Sequence, residues 1–499
     1  MASQLPQMPA GAKPALQDYI LRSDLGGDSP QGSGQTLLSL VHISDAHVMD
    51  SASPARCEWV ELRGQEPLWQ PLLHMHRPYE ALTHFALAAH IDTLGANPLA
   101  PASGRPYDLA LFTGDNIDNA QANELQAFIA VVRGGPTSLS AYGGVHDIAG
   151  AQDWLATQPG GTWPYWCPQG EVPCAGKALG LPVIEDFLAR ASAVISSRGL
   201  GFAWTSVAGN HDVLRQGTAL SNAALETIAT GALKTLVQPA GFAPTDPLHA
   251  FLDQPEAFSQ TTAGSGTRAI TPDTGRRIIT AQEFADVHEA VGAKGYAQLA
   301  PGQRDTYVDT EHVRIILLDT NHPWGDYQGS VGKQQLAWLD ECLREVGRTP
   351  GRRALLASHH GCASLVNRRG HDPERVHAQA LTDVLHRHAC VLAWLVGHRH
   401  IHRIDAHPPR PQARAGGGRG FWEIATASII DWPSQARAIE LVRHRDGSLE
   451  LICSPLDHRS PAGTLAALHH ALAQRFAGRQ AQAMQGRAQD GQVRLVFPI

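Results

Sequence analysis

No Cys-x-x-Cys pair occurs in the 499 residues, which argues against a thiolate zinc site of the usual ligand spacing. The seven cysteines are an odd number scattered through a long chain and do not make a disulfide framework. Cys167 and Cys174 share one loop and could pair, but in a reducing compartment they are expected as free thiols. Apolar runs of membrane-spanning length are missing, and residues 1–35 lack the charged-then-apolar pattern of a signal segment. A soluble, cytoplasmic protein with no membrane partner is the expectation. Excess positive charge is missing as well: 40 Lys and Arg stand against 47 Asp and Glu, a formal net charge of −7. That balance gives no basic footprint and disfavours a nucleic-acid polymer as partner. Nothing in the composition sets the oligomeric state.

What remains is an ordinary globular composition, 43% hydrophobic and 17% charged, with one outlier in its 26 histidines. Histidine is the commonest metal ligand, so their placement matters more than their number. The length suits two or three domains, or one large enzyme domain with insertions.

Five clusters of metal-type residues each follow an apolar run. The run ending TLLSLVHIS delivers Asp45-Ala46-His47, and alternate side chains of an extended segment share a face, so Asp45 and His47 can converge on one ion. YDLALFTGDNID leads through Gly114 to Asp115, whose two oxygens can bridge two cations, and to Asp118, which reads as a cap for the helix that follows or as support behind a ligand. WTSVAGNHD turns at Gly209 and presents Asn210, His211 and Asp212. RRALLASHHG delivers His359 and His360, and CVLAWLVGHRH delivers His398 and His400. His402 and His407 lack a preceding apolar run and are expected to be exposed. Any one cluster also reads as a polar strand-to-loop turn, because Asn, Asp and Gly mark turns for steric reasons alone. Their common position at strand ends, where α/β sheets place ligands, favours a joint site.

Helical spacing over residues 78–94, Pro at the start and Gly at the end, gives the first strand-loop-helix unit. A helix is predicted from Leu181 to Gly199 and another over NAALETIATGALKTLV. GKQQLAWLDECLREV puts Leu336, Leu339 and Leu343 on one stripe, and Asp446-Gly447 supplies the tight turn of a hairpin. Two stretches interrupt the pattern. Residues 134–181 are rich in Gly and Pro and carry Trp154, Trp163, Tyr165 and Trp166, which read equally as a lid or as anchors packing a loop. Residues 213–310 leave the body directly after Asn210-His211-Asp212 and are placed to shape substrate access. His322 and Trp324, just past another strand end, are candidates for lining a pocket. A helix from Thr464 to about Ala477 and a strand-like VRLVF close the chain.

The order D-x-H, G-D-x-x-D, G-N-H-D, lone His, G-H-x-H resembles the calcineurin-like metallophosphoesterase superfamily, and within it a bacterial branch. The resemblance runs from about Thr36 to Asp457. It implies a four-layer α/β/β/α sandwich of two mixed β-sheets with a di-metal site at the sheet-edge loops. The resulting division is an extension over 1–35, a phosphoesterase domain over 36–457 with the two insertions, and a helix and tail over 458–499. One metal would be held by Asp45, His47, Asp115 and His400, and a second by Asp115, Asn210, His359 and His398. His359 is preferred over His360 as the residue directly after the strand, although Gly361-Cys362 departs from the prolines often found there in the family. Carboxylate, amide oxygen and imidazole together suit iron, manganese or zinc, as divalent or mixed-valence ions. The implied reaction is hydrolysis of a small phosphomonoester or phosphodiester by a metal-bridging hydroxide. His211 would assist the leaving oxygen, and Asp212 would orient and charge His211. A protein phosphatase, or a catalytically silent metal-binding scaffold, is the alternative.

Overall fold

The computed structural model describes residues 16–30, 34–73, 75–139, 168, 180–264, 266–300, 302–410 and 419–498. Cys167, Cys174 and the aromatic residues of the first insertion, from Trp154 to Trp166, lie outside the described residues.

The chain is a mixed α/β structure built on two mixed sheets. Their strands, in chain order, are β1 (Ile20–Arg22), β2 (Gly34–Ile43), β3 (Leu109–Phe112), β4 (Trp204–Ser206), β5 (Thr306–Asp309), β6 (Val313–Leu318), β7 (Arg353–Ser358), β8 (Val391–Val396), β9 (Arg403–His407), β10 (Phe421–Ala425), β11 (Gln435–His444), β12 (Leu449–Asp457) and β13 (Val493–Val496). The seven-stranded sheet runs β1-β13-β12-β11-β2-β3-β4, and the six-stranded sheet runs β9-β10-β8-β7-β6-β5. Within them β2, β3 and β4 are parallel, as are β6, β7, β8 and β10, so each sheet ends several strands at one edge. The β11–β12 hairpin turns at Asp446-Gly447, where Gly447 takes a φ of 86°.

Side-chain alternation sets the packing, because successive residues of a strand face opposite ways. On β2, Leu38 and Leu40 join a buried cluster with Leu109, Leu111, Ile315, Leu317, Leu355 and Leu395, drawn from both sheets. Val41 and Ile43 point the other way, with Ala110 and Phe112, into a cluster with Leu87, Ile91, Leu125 and Phe128. Those four come from helices α1 (Thr83–Ala96) and α2 (Ala122–Arg133). Across the six-stranded sheet Ile316, Leu318, Leu356 and Trp394 meet Leu339, Leu343, Leu381 and Leu385. These belong to α3 (Lys333–Arg348) and α4 (Ala378–Arg387). Each such aliphatic side chain contributes roughly 1.5–3 kcal/mol when fully buried.

Several local expectations change. The segment predicted as one helix up to Gly199 is helical only over Phe187–Ala191, and Ile195–Ser197 pairs as a strand with Gly135–Thr137. Its Ile-Ser-Ser stretch favours extended backbone, and Ser197 is fixed by donating to Asp92. The helix over NAALETIATGALKTLV stops at Ala229, and Leu233–Thr235 forms a hairpin with Thr267–Ala269. There Lys234 is buried and its Nζ lies 2.7 Å from Glu58 Oε1, an ion pair a continuing helix would not make. A strand before Thr36, β1, pairs in parallel with β13. Among the described residues no helix is long and apolar enough to cross a membrane.

Candidate metal centre

All five sequence clusters come together where the parallel strands end. Asp45 and His47 follow β2, Asp115 follows β3, Asn210 follows β4, His359 follows β7, and His398 and His400 follow β8. The loops are joined by backbone bonds: Asp45 N donates to Gly114 O at 3.0 Å, His47 N to Asp115 O at 2.9 Å, and Gly397 N to His359 O at 3.0 Å. Two glycines make this approach possible, since a Cβ at Gly209 would collide with the Asp115 carboxylate and one at Gly397 with Ser44 and Asp45.

Asp115 lies at the middle. Its Oδ2 is 3.1 Å from His359 Nε2 and 3.7 Å from His47 Nε2, while Oδ1 accepts from His211 N at 2.8 Å. On one side Asp45 Oδ1 is 3.2 Å from His400 Nε2, and both Asp45 oxygens accept from His398 N at 3.1 Å. Donor atoms of Asp45, His47 and His400 form one group within 4.8 Å of one another, and those of Asp45, Asp115 and His359 form a second. Asp45, His47, Asp115, His398 and His400 hold φ of 53°, 44°, 49°, 68° and 56°. This left-handed conformation costs an L-residue about 1–2 kcal/mol. Strain of that kind persists where the surroundings over-determine it, and it clusters at functional sites.

The residues fit a cation on a direct observation. Among the described residues, His47 Nε2 and Asn210 Oδ1 are buried without a hydrogen-bond partner, and the buried His359 Nε2 faces the Asp115 carboxylate at 3.1 Å. A buried polar atom without a partner costs about 1–3 kcal/mol. The other end of each side chain is tied down, fixing its orientation: His47 Nδ1 lies 3.0 Å from Asp118 Oδ1, Asn210 Nδ2 donates to Gly217 O at 2.9 Å, and His359 Nδ1 donates to Thr113 O at 2.8 Å. His360 differs, because both its ring nitrogens are engaged, Nδ1 with Thr320 Oγ1 and Nε2 with Tyr327 O. We therefore expect His359→Ala to lose bound metal in elemental analysis. His360→Ala should keep its metal and lose about 1–3 kcal/mol of stability, read as a lower thermal midpoint. The reverse pattern would reassign the ligand.

Charge follows the same division. Burial pulls His359 down, but Asp115 and Asp45 hold it up at about 9; for His400 burial is likewise outweighed by Asp45 and Asp431, giving about 10. His47 and His398 are pushed well below the ordinary imidazole range, by burial first and then by His211 and His360 respectively. The Asp115 carboxyl stays well below its usual value despite burial, because His359 and His211 face it. Two carboxylates thus hold protons on two imidazoles where a dication would stand, and uptake of a metal would release them.

Sequence reading missed Asp431, misplaced Asp212, and left Asp118 open between a helix cap and support behind a ligand. Asp431, just past β10, accepts from His400 Nδ1 at 2.6 Å, from Arg77 Nε at 2.8 Å and from Tyr79 at 2.9 Å. It follows an apolar run as the other clusters do, so the same strand-end rule would have found it. Asp118 is not a helix cap, since α2 begins at Ala122 with Gln121 before it. Its Oδ1 instead serves His47, its main-chain oxygen lies 2.7 Å from His211 Nδ1, and its Oδ2 is held by the buried Arg56. Asp212 does not orient His211. Its oxygens accept from Asn116 N, Asn116 Nδ2, Ile117 N and Gly209 N, so it pins the Asp115 loop to the Asn210 turn. Consecutive residues of a helical turn project in different directions, which the sequence-adjacent assignment overlooked. Burial, with Asp115 nearby, raises the Asp212 carboxyl to about 7.

His402, expected at the surface, is buried, with Nε2 3.1 Å from Gln435 Oε1 and Nδ1 accepting from Ala427 N. Edge-strand β9 and the loop after β10 close over it, a tertiary effect with no local signal. His407 is half-buried and stacks on Phe421. His322 is buried with Nδ1 accepting from Trp324 N, whereas Trp324 is 53% exposed and lines a cavity.

No family model matches the chain, and no curated protein matches it. Among solved structures the chain is similar to a crystal structure of a dimetal phosphatase from Danio rerio, at 12% identity and a TM-score of 0.38, covering 85% of this chain and 98% of that one. A likeness that distant carries no argument about this chain, so the functional reading rests on its own residues.

Proposed function

We propose that the protein is a dinuclear metal-dependent phosphoesterase acting on a small phosphomonoester or phosphodiester. The observation that carries the reading is the gathering of Asp45, His47 and His400 into one donor group and of Asp45, Asp115 and His359 into another, with His47 Nε2 and Asn210 Oδ1 buried and without a hydrogen-bond partner among the described residues. Asp45, His47, Asp115 and His400 would hold one ion, and Asp115, Asn210, His359 and His398 the other. Iron, manganese and zinc suit that donor set. Two such ions, when bound, supply a water of lowered pKa and positive charge for a transferring phosphoryl group.

The chain's own residues do the rest. Asp431 fixes His400, and Asp118 fixes His47, as carboxylates behind metal-binding imidazoles do. His211 lies edge-on to His47, with ring centroids 4.5 Å apart. We assign it the leaving-group proton, with Asp118 rather than Asp212 as its support. Burial lowers His211 to about 4, Asp115 being the largest opposing influence, so the imidazole is neutral at neutral pH in the free protein. A bound phosphoester brings negative charge, which favours the imidazolium and supplies the proton.

The buried clusters on either side of the two sheets support a four-layer α/β/β/α sandwich over 36–457, with the ends of the chain as additions to it. The insertion over 213–310, which leaves the body at the Asn210 turn, would favour a small ester over a phosphoprotein, and a cytoplasmic setting is part of the same proposal. The test is a metal-supplemented screen of aryl phosphates, cyclic nucleotides and a phosphopeptide. Turnover of a small ester that is lost on chelation and restored by Mn, Zn or Fe is the expected result. Metal binding without turnover of any ester would leave a scaffold, and turnover of the phosphopeptide alone would make it a protein phosphatase.

A further inference from the structure

The segment from Asn321 to Gly329 has the metal loops on one side. Asn321 Nδ2 donates to Ala208 O at 3.1 Å, Asp326 N to Thr218 O at 2.7 Å, and His360 Nε2 lies 3.1 Å from Tyr327 O. The same segment lines a cavity of about 490 Å³ together with Leu248, Leu252, Val366, Arg368 and His371, Trp324 being the segment's aromatic residue there. Leu248 and Leu252 belong to the insertion that leaves the body at the Asn210 turn.

Trp324 is held for stacking. A Cβ built on Gly370 would stand 2.9 Å from Trp324 Cδ1 and 3.0 Å from both Cγ and Nε1, near-equal spacings that put the Gly370 backbone over one face of the ring. Gly370 has φ +71°, so it keeps that position without a side chain. Arg369 locks the arrangement, donating from Nε to Trp324 O at 2.8 Å and pairing with Asp253. With Gly370 over one face of the ring, Trp324 is still 53% exposed. Arg369 is matched by Asp253, but the exposed guanidinium of Arg368 has no carboxylate partner among the described residues, and His371 is exposed beside it. Asp326, the acid of the lining, is raised by burial, and its Oδ1 accepts from Gln328 N at 3.3 Å.

We propose that this cavity is a recognition subsite for a planar aromatic group that carries negative charge, stacked on Trp324 with its anion toward Arg368. The coupling of this subsite to hydrolysis rests on the phosphoesterase reading; the binding itself does not. An aryl or heteroaryl portion of the substrate, remote from the reacting phosphorus, is its occupant.

The experiment titrates the full-length, metal-loaded protein with 2-naphthoate, an aromatic anion with no phosphoester bond, and with cyclohexanecarboxylate, an anion of the same charge and no π-face. Naphthoate should bind about tenfold tighter than the saturated acid, and Trp324→Ala and Arg368→Ala should each weaken it about tenfold. Trp324→Leu, which keeps apolar volume, serves if the alanine variant unfolds. Metal content and thermal midpoint of each variant are measured on the same preparation. Naphthoate that fails to bind at millimolar concentration, or binds equally to wild type and both folded variants, overturns the proposal. In a second arm, the preference for 2-naphthyl phosphate over methyl phosphate should fall about tenfold in both variants. Naphthoate binding that the variants abolish, in a protein that turns over no phosphoester, would keep the subsite and remove the phosphoesterase reading instead.

Discussion

Asp115→Asn should leave the protein folded and strip it of its second metal ion, with activity down by roughly a thousandfold, equivalent to several kcal/mol of lost charge stabilisation. The geometry separates charge from scaffold. Asp115 Oδ1 accepts the His211 backbone N–H at 2.8 Å, and an amide carbonyl can do the same, so the turn keeps its tie. What changes is Oδ2, 3.1 Å from His359 Nε2 and 3.7 Å from His47 Nε2. A neutral NH₂ there can donate to the imidazoles but cannot hold two dications. The metal-free variant loses the buried Asp115–His359 ion pair, so its thermal midpoint should fall at neutral pH, and His359, which Asp115 does most to keep protonated against the pull of burial, should lose its proton more easily. Elemental analysis finding two ions per chain in the variant would reject the bridging role.

His211→Ala should be selective for the substrate. General-acid assistance is worth about a hundred- to ten-thousand-fold where the departing oxygen is a poor leaving group and little where it is a good one. The variant should lose about that much on an alkyl phosphoester and far less on a nitrophenyl ester, with metal content unchanged. The pH profile gives an independent reading. His211 stands at about 4 in the free protein, lowered by burial and partly offset by Asp115, and the negative charge of bound substrate raises it. As the proton donor it is active below its pKa in the complex, so wild-type kcat on the alkyl ester should fall as pH rises through that value, and this limb should vanish in the variant. Equal loss on both esters, or loss of metal, would make His211 a structural or ligating residue. Asp118→Asn should reproduce part of the alkyl-ester defect because Asp118 touches both His47 and His211, whereas Asp212, bonded to the 116–117 amides, acts on stability.

The ligand loops were legible because each obeys a local rule: an apolar run long enough for a buried strand, then a turn residue, then a donor. Asp45, Asp115, Asn210, His359 and His398 all follow strands in that manner. The same rule would have reached Asp431 had it been applied to the run ending ATASII. Helix limits were less legible where two states compete, as at Ala229, where a buried Lys234–Glu58 pair overrides helical spacing.

The sequence by itself determined the α/β class and the strand-end position of the candidate donors, because periodicity and turn chemistry act over a few residues. Tertiary structure alone decided which side chains support which donors. Asp118 rather than Asp212 lies beside His211, and Asp431 meets His400, from positions 93 and 31 residues apart in the chain. It also sets apart His359 and His360, two adjacent histidines of one motif: both ring nitrogens of His360 are hydrogen-bonded, whereas His359 Nε2 faces the Asp115 carboxylate. Adjacency in sequence says little about direction in space. The packing of one sheet edge against the other fixes that direction, and through it the electrostatics of the site.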